Sequence, residues 1–152
     1  MLPPMTPGDR EPHSMQSALE YLANTSAAMA NGYVADCVTH ACAIADLLLR
    51  AHDSPSIARL RVIMRTGDRV FYAPLIPKRF TGAQAVTWNT HYVCCLRGAA
   101  YDPMLAQPVA IENYCQEAFG IAATLEEHLS PDTVATLWRE GALRQAFRPN
   151  AT

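Results

Sequence analysis

The chain has 152 residues, half of them apolar and 17% charged, enough for one domain with a real core and too apolar for a disordered chain. A formal charge of −2 and a pI near 6.2 give no general drive toward nucleic acid. No apolar run is long enough to span a bilayer, and no basic patch followed by an apolar core marks a signal peptide.

Residues 1–13 mix prolines, a glycine and charges of both signs, which predicts a flexible arm or linker ahead of a single domain over residues 14–150. Ser17-Ala18-Leu19-Glu20 has the form of a capping box, opening a helix to about Ala30 that Asn31-Gly32 ends. Asp36 is a good N-cap for a second helix, from there to about Ala51. Ala41, Ile44, Ala45, Leu48 and Leu49 recur along it at helical spacing and predict its buried face. Turn chemistry at Asp53-Ser54-Pro55-Ser56 closes it.

The period then changes to two. Leu60, Val62 and Met64 alternate with Arg59, Arg61, Ile63 and Arg65, which predicts one strand. Gly67-Asp68 turns the chain and Val70-Phe71-Tyr72 returns it. Arg59, Arg61, Arg65 and Arg69 read as a solvated face. A long loop from Pro74 to Val86 leads to a second alternating run, Trp88 to Leu96. There His91, Val93 and Cys95 share one face and Tyr92, Cys94 and Leu96 the other. Arg97-Gly98 turns into a partner strand over Ala99 to Tyr101. Pro108 opens a helix over Val109 to Phe119 that Gly120 stops, and Ser130-Pro131-Asp132 opens another that Gly141 ends. Leu19, Leu48, Leu49, Leu137 and Trp138 are core candidates. The order of helices, antiparallel meander and helices predicts an α+β fold, its second helix packed on the sheet.

Five cysteines are an odd number, and no C-x-x-C pair suits zinc. They read as reduced core residues made in a reducing cytosol, with export by a route that needs no signal peptide left open. Cys37 stands apart. It falls on the first turn of the second helix, where the dipole favours a thiolate, the nucleophilic form. His91 starts one strand and Asp102 ends the next, so imidazole and carboxylate can lie side by side. A thiol near an imidazole, with a carboxylate fixing the far ring nitrogen, is the set that attacks amide carbonyls. The reading is a Cys37, His91, Asp102 triad that calls for no metal and no cofactor. The Cys37 backbone N–H is the first oxyanion donor, with Asn31 and the Trp88 indole as further candidates. His40, one turn from Cys37, reads as a supporting or surface residue, and Cys42 as core.

Asp-Cys-x4-Cys-Ala-x-Ala-x-x-Leu-Leu-Arg around Cys37, with His91 on a strand and then Tyr101-Asp102-Pro103, resembles the transglutaminase-like, papain-like superfamily. Trp88-Asn89-Thr90-His91, then Asp102-Pro103-Met104-Leu105, then Pro108 and a helix, is similar to bacterial protein-glutamine deamidases. The likeness spans about Asp36 to Phe119. It implies a papain-like fold, a Cys37 nucleophile, a His91 acid–base, an orienting Asp102, and a protein or peptide substrate carrying glutamine. No calcium-ligand cluster accompanies it. The resemblance also suggests a secreted bacterial effector or toxin, which would bring an immunity or inhibitor protein as partner. Neither nucleic acid nor membrane is expected as a partner. A transglutaminase, a cysteine protease or peptidoglycan amidase, and a binding module with a degenerate site remain alternatives.

Overall fold

A five-stranded antiparallel sheet separates two hydrophobic cores in the computed structural model, which describes residues 7–140 and 148–149. Helix α1 (Pro7–Ala28) is followed by a 3-10 turn (Met29–Asn31) and by α2 (Cys37–Arg50). The sheet takes β1 (Ser56–Leu60), β5 (His91–Leu96), β6 (Ala99–Tyr101), β7 (Val109–Ala110) and β8 (Glu126–Leu129), in the order β7-β6-β5-β1-β8. Between β1 and β5 stand a separate hairpin of β2 (Ile63–Thr66) and β3 (Arg69–Tyr72), and the short β4 (Val86–Thr87), which pairs with β9 (Arg148–Pro149). Helices α3 (Ile111–Phe119) and α4 (Pro131–Arg139) complete the described elements.

All six residues of β5 are buried, because the strand is covered on both faces. Tyr92, Cys94 and Leu96 meet Val38, Ala41, Ile44, Ala45 and Leu48 of α2, with Leu22 of α1 and Val134 of α4 behind. Val93 and Cys95 face the other way, toward Tyr114, Cys115 and Ala118 of α3 and toward Phe80 and Trp88 of the preceding loop. The alternation read from the sequence is therefore the alternation of the two cores, and the coarse α+β architecture with α2 on an antiparallel sheet agrees with it.

Several details differ. The chain is helical from Pro7, so residues 7–13 are not the expected arm, and Ser17 lies inside α1 rather than capping it. A proline in the first turn is tolerated because its missing N–H has no intrahelical use there. Residues 1–6 and Gly141 lie outside the described residues. The strand expected from Arg59 to Arg65 is two strands in two sheets, broken after Leu60. Period-two alternation runs unchanged across that break and cannot register a change of partner. Val109 and Ala110 pair with β6 before α3 begins, and β8 escaped notice because Glu-Glu-His-Leu carries no apolar alternation. Leu137 and Trp138 pack partly buried beside the α2 core, but Leu19 and Leu49 are exposed.

Ile44 and Leu49 test this placement. Ile44 is fully buried against the sheet and Leu49 is 45% exposed. Ile44→Ala is expected to lower stability by about 2–5 kcal/mol, and Leu49→Ala by no more than about 0.5 kcal/mol, both read by urea unfolding.

Candidate active site

Cys37 is the first residue of α2, so its amide belongs to the turn whose N–H groups have no intrahelical acceptor. The approach to it is tightly specified. The Asp36 carboxylate caps the helix by accepting from the Thr39 amide at 2.8 Å. Ala35 takes a left-handed conformation, with φ of 58°, to turn the chain into that cap. His40, one turn along, is buried; its Nε2 donates to the Val34 carbonyl at 2.6 Å, and Nδ1 stands 3.0 Å from the Tyr21 hydroxyl. It is a clamp on the loop that delivers Cys37, neither surface filler nor a competing base.

His91 opens β5, and Asp102 follows β6 as N-cap of a 3-10 turn (Pro103–Leu105). The hairpin between them brings His91 Nε2 to 2.9 Å from Asp102 Oδ2. Asp102 Oδ1 accepts from the Met104 amide at 2.9 Å, and Tyr114 of α3 donates its hydroxyl to Oδ2. A carboxylate accepts, so Nε2 carries the ring proton, and Nδ1 of the neutral ring is left as an acceptor. Nδ1 is buried and makes no conventional hydrogen bond, and the Cys37 side chain acts electrostatically on the ring. Trp88 stacks flat on the imidazole, with centroids 4.6 Å apart and planes 9° apart, and Phe119 meets it edge-on at 5.3 Å.

These contacts set the charge state. Burial alone would pull the His91 pKa down. The charge of a Cys37 thiolate and the Asp102 hydrogen bond outweigh burial, and His91 is raised to about 9. Burial alone would raise Asp102, but the bonds from His91, Tyr114 and the Met104 amide hold it below the ordinary carboxyl value. Burial and the neighbouring Asp102 charge push Tyr114 well up, so it stays a neutral donor. The arrangement can pass a proton between a thiol and Nδ1 while the far nitrogen stays fixed.

Cys37, His91 and Asp102 line one narrow cleft with Tyr33, His40 and Tyr101, with no room inside it for a water-sized molecule. The cleft is closed: Cys37 is 2% exposed and His91 and Asp102 are buried. The two further oxyanion candidates do not line it. Asn31 is exposed at the end of its 3-10 turn. Trp88 is buried and spends its face on His91 rather than on the cleft. Sequence reasoning missed Tyr114 and Tyr33. Helical spacing marks Tyr114 as inward-facing but says nothing of a hydroxyl meeting a carboxylate on another element. Tyr33 sits edge-on to Trp88 at 4.9 Å, Phe80 at 5.7 Å and His40 at 5.8 Å, tying the loop before Cys37 to the residues around His91. Among the described residues no cluster of His, Cys, Asp or Glu is built to hold a metal ion, and no helix is long and apolar enough to cross a membrane.

No family model, curated protein or solved structure matches the chain.

Two measurements test the geometry. Removing the Cys37 charge removes the largest influence raising His91, so in Cys37→Ser the His91 ring is expected to titrate well below 9 by histidine NMR. Tyr114→Phe leaves Asp102 without one of its donors, and a loss of about 1–3 kcal/mol is expected in chemical unfolding.

Proposed function

We propose that this chain is a cysteine-dependent amidohydrolase that deamidates glutamine side chains of a protein or peptide. One observation carries the reading: a buried imidazole, with one nitrogen locked to Asp102 and the other without a conventional partner, lines the same cleft as a cysteine at a helix N-terminus. The resemblance to papain-like enzymes and protein-glutamine deamidases supports the choice of chemistry.

In this mechanism His91 Nδ1 takes the thiol proton and sulfur attacks the carboxamide carbon. The C–S bond forms while the carbonyl electron pair moves to oxygen, where the Cys37 amide is placed to donate. The tetrahedral centre collapses, the C–N bond breaks, and the imidazolium protonates the departing nitrogen, which leaves as ammonia. A thioester remains. Water gives a proton to His91 and attacks, the C–S bond breaks, and the sulfur recovers its proton. Glutamine and water have become glutamate and ammonia. An amine taking the place of that water would make the same site a transglutaminase.

The test is ammonia release from a glutamine-rich protein, with mass spectrometry locating glutamines turned to glutamates. Cys37→Ala is expected to abolish both signals. A chain that releases no ammonia and cleaves the backbone instead would replace deamidation with proteolysis. The pH profile has a definite sign. The imidazolium must hold the proton that ammonia needs, and it loses it as pH rises through its raised pKa. kcat/KM is therefore expected to fall above about 9.

A further inference from the structure

The β2–β3 hairpin is the part of the fold that the catalytic reading does not use. All eight of its strand residues are exposed. Five of them are large and apolar: Ile63, Met64, Val70, Phe71 and Tyr72. The register sets Ile63 opposite Tyr72 and Arg65 opposite Val70 on one face, and Met64 opposite Phe71 and Thr66 opposite Arg69 on the other. Each face therefore carries an apolar pair near the base and an arginine nearer the tip. Isolated two-stranded hairpins are marginal in water, and exposed apolar clusters mark interaction sites.

Its position is as informative as its composition. Leu60, at the end of β1, pairs with His91. Past the hairpin, Leu75 and Trp88 exchange backbone hydrogen bonds of 2.7 and 3.0 Å, and Trp88 stacks on His91. Both legs of the hairpin are thus rooted beside the candidate catalytic histidine.

We propose that the hairpin docks an acidic, extended segment of the protein substrate, which adds along a free strand edge and carries its glutamine toward Cys37. This rests on the amidohydrolase reading and names its substrate class. Edge addition supplies backbone hydrogen bonds, and the alternating side chains supply selectivity. From Arg61 to Tyr72 the hairpin holds three arginines against one aspartate, on a chain whose net charge is −2. Arg61 lies over the Tyr72 ring and donates to its hydroxyl, whereas Arg65 and Arg69 have no carboxylate partner among the described residues. The excess cation selects an acidic partner. A lipid surface fits less well, since it would meet the polar tip Thr66-Gly67-Asp68-Arg69 before the apolar base. A second copy of the hairpin would set arginine against arginine.

The test uses fluorescently labelled β-casein, an acidic, extended, glutamine-bearing protein, and the full chain carrying Cys37→Ala. Adding Arg65→Glu and Arg69→Glu, or separately Phe71→Ser, is expected to weaken binding about tenfold or more, with the thermal unfolding midpoint unchanged because all three side chains are exposed. In the active chain the same substitutions are expected to leave kcat/KM for carbobenzoxy-glutaminyl-glycine unchanged while lowering it for casein. Absent casein binding, or binding indifferent to these substitutions, overturns the proposal. So does a dimer in sedimentation that the charge reversal disperses, or binding to phosphatidylserine vesicles that the variants lose while casein binding persists. Because binding is read in Cys37→Ala, a failure of the active chain to release ammonia would count against the amidohydrolase reading and leave the docking result standing.

Discussion

The Asp102 carboxylate is the most costly group in this fold to hold where it is. A buried, isolated charge is penalised by several kcal/mol even after relaxation. Here His91 Nε2, the Tyr114 hydroxyl and the Met104 amide converge on its two oxygens. Those donors come from β5, α3 and the turn after β6, so one carboxylate fixes the relative placement of three elements. Losing any donor leaves charge under-compensated in a dry site, which is why the group acts as a unit rather than as separate contacts.

The imidazole is held from its faces as well as its edge. Trp88 lies flat on one side, Phe119 meets it edge-on, and Trp88 is itself met by Tyr33 from the loop before Cys37. This aromatic set spans the two cores, because Tyr33 also reaches His40 on α2. The thiol and the histidine arrive on different elements, from opposite ends of the sequence pattern. Their mutual placement depends on rings whose geometry is stiff and whose burial is strongly favourable.

Much of this was legible in the sequence, for local reasons. The Asp36 cap, the left-handed stop at Gly120, the Ser130 cap and the two-sided alternation of Tyr92 to Leu96 are set by neighbours a few residues apart. So were the three residues Cys37, His91 and Asp102 as candidates, because a short hairpin joins the last two and a helix start marks the first. What could not be read depends on contacts between distant elements. Tyr114 meets Asp102 only through the docking of α3, and Asn31 ends a 3-10 turn outside the cleft lining. The break after Leu60 was hidden because both strands obey the same alternation, although one lies in the core and the other in water.

Burial of the thiol imposes a condition on any chemistry at this cleft. A substrate carbon must approach the sulfur of a residue that is 2% exposed, so part of the lining has to give way. The His91 wall is fixed by a compensated charge and by stacked rings, and moving it would strand Asp102. The loop from Gly32 to Asp36 is held differently. Val34 and Ala35 are exposed, Ala35 stores left-handed strain, and the hold on the loop includes the His40 bond to the Val34 carbonyl, the Asp36 cap and the edge contacts of Tyr33. Neutral hydrogen bonds and edge contacts of this kind are each worth about 1 kcal/mol, well below the cost of uncovering a buried charge. Moving the loop at Val34 and Ala35 therefore costs less than moving the histidine wall, which would leave the Asp102 charge without its main donor.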